Sequence, residues 1–246
     1  MKTFSFLLSC LLTFTFASTS LAKTHYAKSV KSMTQDIIPS PVRKDEKKVF
    51  EGSGPIAGAM LLGYWQTERG KKNLLERGFD GTKHPSKAIV KLYKEMKSKK
   101  SPVKKVFMSL TMPDNLFRAL KKRVKNVKGL DAARKRKTSR WSAREKALKA
   151  QLRKGNPVIL LKNREHKDGC LGRWSKGLDP IKNIVSSRYF LAVGYKGNEV
   201  AIIPGRSEKP KSASSGFGVH KKDSASHDLC TFDELKKANV SLFWLE

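Results

Sequence analysis

Acid is what this 246-residue chain has little of: 21 Asp and Glu stand against 52 Lys and Arg, a formal net charge of +31. Such a balance says little about fold and much about partners. Nucleic acid, heparin-like polymers, anionic lipid or lipopolysaccharide, and teichoic or acidic polysaccharide would all be attracted. The deficit is sharpest between Lys97 and Lys154, where Asp114, Asp131 and Glu145 are the acids and 21 residues are Lys or Arg. Arg134-Lys135-Arg136-Lys137, with Arg140 and Trp141, is its densest part, a cationic cluster with one aromatic. The plain alternative is a solvated helical face. Nothing has the form of a phosphate loop, a base-reading motif or a dedicated nucleic-acid fold, and no cofactor is implied. No internal repeat is visible.

A long apolar run is missing as well. Phe4 to Phe16 is apolar but too short to span a bilayer, which argues against a lasting membrane anchor. With Lys2 before it and Ser20-Leu21-Ala22 after it, residues 1–22 read as a secretory signal peptide. The chain is therefore expected in the periplasm or outside the cell, and that address favours an anionic envelope polymer or a peptide over nucleic acid as partner.

Cysteine is scarce too, with three in all, and Cys10 lies inside the signal. Leu8-Ser9-Cys10 has the outline of a lipoprotein cleavage box, but apolar residues continue beyond it, so cleavage there would cut the signal in half. Cys170 and Cys230 remain, and an exported chain with two cysteines most simply pairs them. His166-x-x-x-Cys170 and His227-x-x-Cys230 also offer two nitrogen and two sulfur donors, a composition that suits tetrahedral zinc. That spacing is loose and both segments read as loops, so the disulfide is preferred and no metal is assigned.

Beyond the signal, residues 23–47 are polar and aperiodic, with Pro39 and Pro41, and read as an extended leader or linker. A single domain over 48–246 follows. Its first half is helical. From Pro85, Ala88, Ile89, Leu92, Tyr93 and Met96 share one face, and from Pro113, Leu116, Phe117, Leu120 and Val124 do the same. Ser142-Ala143-Arg144-Glu145 has the form of a capping box, for a helix that stops at Gly155. Then the period changes. Pro157–Leu161 and Tyr189–Tyr195 read as strands, Lys196-Gly197-Asn198 turns the second into Glu199–Ile203, and Val240–Leu245 closes the chain as a last strand. Thr231-Phe232-Asp233-Glu234 is a second capping box, for a short helix to Asn239. Residues 205–226 read as a loop rich in Ser, Gly and Lys. Helices first and an antiparallel sheet second predict an α+β domain, with a basic helical insertion near 97–141.

The stretch that organises the domain is Gly52-Ser53-Gly54-Pro55 followed by Ile56–Trp65, which carries no charge and reads as a helix buried nearly all round. Pro55 suits a first helical turn, and Ser53 is placed to cap it. This segment resembles the nucleophile helix of papain-like cysteine peptidases, in particular the bacteriocin-processing (double-glycine leader) peptidases, where Cys-Gly-Pro opens a helix of small residues. The resemblance continues through Ala147–Leu160 (helix, Gly155, then Pro157-Val158 into the sheet), Arg188–Tyr195, Ile203-Pro204-Gly205 and Phe232–Leu235. It covers most of Phe50 to Glu246 outside the basic insertion, and implies a papain-like fold, a helical half followed by a small antiparallel sheet.

A papain-like site needs a thiolate, an imidazole to generate it, a group to orient the imidazole and an oxyanion donor. Carried over position by position, the resemblance puts Ser53 in the cysteine slot, Arg188 in the histidine slot and Ile203 in the slot of the orienting aspartate. Serine needs a base even more than a thiol does, Arg188 cannot accept a proton, and Ile203 cannot orient anything. His220 or His227 could fold back as a substitute base, though each reads first as a solvent-exposed loop histidine. Two functions follow from these slots. One is a non-catalytic peptidase-like domain whose cleft, with Ser53 at a helix N-terminus beside Arg188, binds an anionic or peptide partner. The other is a hydrolase with Ser53 as nucleophile and a base not yet identified.

Overall fold

A computed structural model of the chain describes residues 24–27, 30, 52–76, 87–100, 109–130, 133–136, 140–164, 170–171, 189–204 and 228–246. The expected signal peptide and the loop histidines His166, His220 and His227 lie outside these residues.

Alternation along three strands divides the core in two. β5 (Val158–Leu161), β6 (Tyr189–Lys196) and β7 (Glu199–Pro204) pair antiparallel, in the register Leu161↔Tyr189 and Leu191↔Ile203. Ile159, Leu161, Tyr189, Leu191, Val193, Ala201 and Ile203 face one apolar cluster. Val158, Leu160, Phe190, Ala192, Val200 and Ile202 face the other. Both faces are thus covered, which is why these strands read as continuous apolar runs rather than alternating ones. α1 (Ser53–Thr67) lies on the first face with α2 (Lys87–Glu95) and α3 (Pro113–Val124). α4 (Trp141–Arg153) and the short α5 (Phe232–Lys237) cover the second.

The β6–β7 turn has Gly197 at φ 57°, the positive angle a two-residue hairpin needs at its first position. A bulge between Ala192 and Gly194 then flips the side-chain phase, so Tyr195 joins the second cluster. At Gly194 the chain start crosses close by. β1 (His25–Tyr26) pairs with Tyr195 and Gly194, and a Cβ on Gly194 would lie 2.5 Å from the His25 carbonyl oxygen. Ala27 and Val30 are buried beyond it. The opening residues of the expected leader are therefore part of the sheet.

The sheet is larger than the sequence suggests. Among the described residues its seven strands run in the order β4-β9-β5-β6-β7-β8, with β1 on β6. Here β8 is Asp228–Thr231 and β9 is Ser241–Leu245. The edge strand β4 is Ala133–Arg136, paired with β9. The densest basic run is thus a strand and not a helical face, and the segment expected as a helical insertion holds α3, β4 and a small β2–β3 pair (Lys99–Lys100 with Ser109–Leu110).

Two caps differ from expectation. Gly52, at φ 85°, is the N-cap of α1, so Ser53 is the first helical residue and makes no capping bond. Glycine adopts that angle at little cost, and the helix starts one residue earlier for it. α4 begins at Trp141 with Arg140 as cap, and Ser142 and Glu145 form no capping box. Arg144 sets this start: its guanidinium lies over the Trp141 ring and donates to the Val240 carbonyl at 2.6 Å and to Asn239 Oδ1 at 2.9 Å. Burial lowers the Arg144 pKa. The Thr231–Glu234 box does form, with Glu234 N donating to Thr231 Oγ1 at 3.2 Å and Thr231 N to Glu234 Oε2 at 2.7 Å.

Candidate functional site

α1 is buried from Gly54 to Trp65, so the body of the helix is fixed by packing. At its N-terminal end Gly52, Ser53 and Gly54 supply the orphan main-chain N–H groups, Pro55 having none. Ser53 is half-buried, and its Oγ accepts the main-chain N–H of Tyr189 at 3.2 Å. The start of β6 is therefore held directly against the start of α1. Arg188, the preceding residue, lies outside the described residues.

Thr111 closes the site from a third direction. Its carbonyl accepts the Tyr189 hydroxyl at 2.8 Å, and its own hydroxyl is 2.6 Å from Ser98 Oγ. Both hydroxyl residues are buried. A Cβ on Gly54 would lie 2.5 Å from Thr111 Oγ1, so only glycine fits between helix and threonine. Burial, with the Asp114 carboxylate adding to it, pushes the Tyr189 phenol well above its ordinary pKa, so it remains a protonated donor. Sequence reasoning placed Tyr189 on a strand but missed Ser98 and Thr111. Nothing but the polar gap before Met112-Pro113 marks them.

Ile203 is buried in the same cluster as α1, paired with Leu191 two residues along β6 from Tyr189. A hydrocarbon side chain fills its place in the packed core. Among the described residues His25 is the one histidine, and it stacks on Tyr195 with ring centroids 5.0 Å apart. Six residues of strand separate Tyr195 from Tyr189, about 20 Å at the usual rise, which removes His25 as a base for Ser53.

The basic cluster is distributed along the sheet edge. Arg134 pairs with Glu246 Oε1, and Trp244 donates its indole N–H to the other oxygen of the same carboxylate. Burial raises the Glu246 pKa, but the hydrogen bonds from Arg134 and Trp244 and the Arg134 charge outweigh it and hold the carboxyl below its usual range. Lys135 pairs with Asp114 at 3.0 Å and lies over the Phe117 ring. Arg136 and Arg140 are exposed, and Lys137 lies outside the described residues. Cys170 and Cys230 are joined by a disulfide, with Cα atoms 5.3 Å apart. With both sulfurs in that bond, neither is a thiolate for zinc. Among the described residues no helix is long and apolar enough to cross a membrane.

No family model matches the sequence, and a search of curated proteins finds no match. The fold is similar to the solved structure of a Prevotella intermedia prointerpain A fragment in which one cysteine is replaced by alanine, with a TM-score of 0.52 at 10% identity over 91% of this chain and 73% of that one. At that identity the likeness shows the fold alone, and the fold is papain-like, α+β.

Proposed function

We propose that this chain is an exported, non-catalytic relative of the bacteriocin-processing peptidases that binds an anionic polymer or peptide. The observation that carries the reading is the Tyr189 N–H on Ser53 Oγ. In the slot where the resembling family has cysteine, this chain has a hydroxyl that accepts a main-chain hydrogen bond, with a buried Ile203 in the orienting slot. A serine hydroxyl without a positioned base is a poor nucleophile. The surrounding chemistry favours anion capture instead: main-chain donors of the α1 end, the arginine that precedes Tyr189 in the chain, and a net charge of +31. Exposed Arg136 and Arg140 supply contacts along a longer ligand, whereas Arg134 and Lys135 are partly neutralised by Glu246 and Asp114. Nucleic acid is the less favoured polyanion.

Titration of the protein without its signal against a long polyanion, at rising salt, tests this reading. Counterion release predicts steep weakening. Replacing Arg134, Lys135, Arg136 and Lys137 together by Ser is expected to lower both affinity and salt slope. Unchanged affinity would make the cluster a solvated face.

A further inference from the structure

The loops that follow α1 and α3 enclose an open groove of about 580 Å³, away from the packed Ser53 end of α1. Lys71, Lys72 and Asn73 line it from one loop and Asn126 and Lys128 from the other. Asn73 has a left-handed backbone (φ 65°), as does Gly129 (φ 72°), and both line the groove. Lys71 is pinned: its ammonium donates to the Lys128 carbonyl at 3.2 Å, and a Cβ on Gly129 would collide with it. One of its three N–H donors is used there. Lys72 and Lys128 are exposed. Among the described residues the lining contains no acid and no aromatic ring.

We propose that this groove binds an anionic saccharide, recognising sulfate or carboxylate groups through Lys71, Lys72 and Lys128 and sugar hydroxyls through the amides of Asn73 and Asn126. Three cations in one concavity, with no carboxylate among its described lining residues, hold an anion better than the same lysines spread over a convex face. The amides both donate and accept, which matches a hydroxyl. No aromatic ring stands among the described lining residues, which argues against a single-stranded nucleic acid, held largely by bases stacked on such rings. The groove does not depend on whether Ser53 is catalytic.

The test is calorimetric titration of the protein without its signal with a heparin-derived hexasaccharide, and with a DNA oligomer of equal charge, at low and physiological salt. Lys72→Ser/Lys128→Ser is expected to weaken the saccharide about tenfold and to lower the salt slope by roughly two counterions. Asn73→Gly/Asn126→Ala, which keeps the left-handed backbone, is expected to cost about threefold with the slope unchanged. Lys146→Ser/Lys237→Ser, which removes the same charge from exposed positions on α4 and α5, is expected to leave affinity unchanged. Equal losses in the two lysine variants would overturn the site in favour of diffuse charge. No saccharide binding by the unmodified protein, or DNA bound as tightly and as sensitive to the groove variant, would overturn it as well.

Discussion

The Tyr189 main-chain N–H donates to Ser53 Oγ at 3.2 Å, across 136 positions of sequence. That one bond ties the first helical residue of the α1 layer to the first residue of the central strand. It is also the contact on which the proposed function rests, because the Ser53 hydroxyl stands in the slot that the resemblance gives to cysteine.

Gly54 makes that approach possible. Gly54→Ala puts a methyl 2.5 Å from Thr111 Oγ1 and 2.6 Å from its Cβ, neither of which is a flexible end. The overlap is expected to destabilise the fold by about 1–3 kcal/mol, although alanine is otherwise the better helix former. Urea unfolding measures it. A stability equal to or above that of the unmodified protein would show that the helix and Thr111 separate freely.

The disulfide joins residues 60 apart in sequence. Chain-entropy reasoning assigns such a crosslink about 4 kcal/mol, with loss to native strain reducing it. Cys170→Ser/Cys230→Ser is expected to lower the urea midpoint with little effect on secondary structure. Mass spectrometry without reductant is expected to find the pair bonded; two free thiols would contradict it.

Glu246 is held below its usual pKa in the folded state. A depressed carboxyl stabilises the fold above its unfolded pKa, and that contribution is lost as pH falls through the folded value. Arg134→Ser is therefore expected to be less stable than the unmodified protein at neutral pH and equal to it well below the glutamate range. Both partners are partly exposed, so the difference is small and shrinks with salt. A gap that persists in strong acid would assign it to lost packing of the arginine stem.

Much of this fold is legible in the amino-acid sequence. The charge-free run to Trp65, the apolar runs at Val158–Leu161 and Tyr189–Tyr195, the Gly197-Asn198 turn and the Thr231–Glu234 box all carry local signals strong enough to survive folding. Other parts carry none. Ala133–Arg136 has charge on both faces, so its strand state comes from the free edge of β9 and not from its own pattern. His25–Tyr26 is too short for any period and is held by the gap that β5 leaves beside Gly194. Ser142 and Glu145 form no box because buried Arg144, reaching Val240, fixes where α4 begins. At the site the helix start at Ser53 is readable from its Gly and Pro neighbours. Thr111 and Ser98 are not, since their contacts to Tyr189 and to each other are set by packing across layers.

Ser53→Cys is expected to produce a thiol of ordinary reactivity, apart from modest activation by the α1 terminus. Adding Arg188→His supplies a proton acceptor, and labelling by a thiol-directed probe is expected to rise in the double variant. Equal labelling of the single and double variants would mean that position 188 does not face the nucleophile slot.

The most direct measurement is turnover of a double-glycine leader peptide by the protein from Lys23 onward, alongside its Ser53→Ala variant. The non-catalytic reading predicts no hydrolysis above the uncatalysed rate by either protein, because a nucleophile and its base act as a unit and the slot that the resemblance gives to the base holds Arg188, which accepts no proton. Hydrolysis by the unmodified protein that disappears in Ser53→Ala would contradict it and establish Ser53 as a nucleophile.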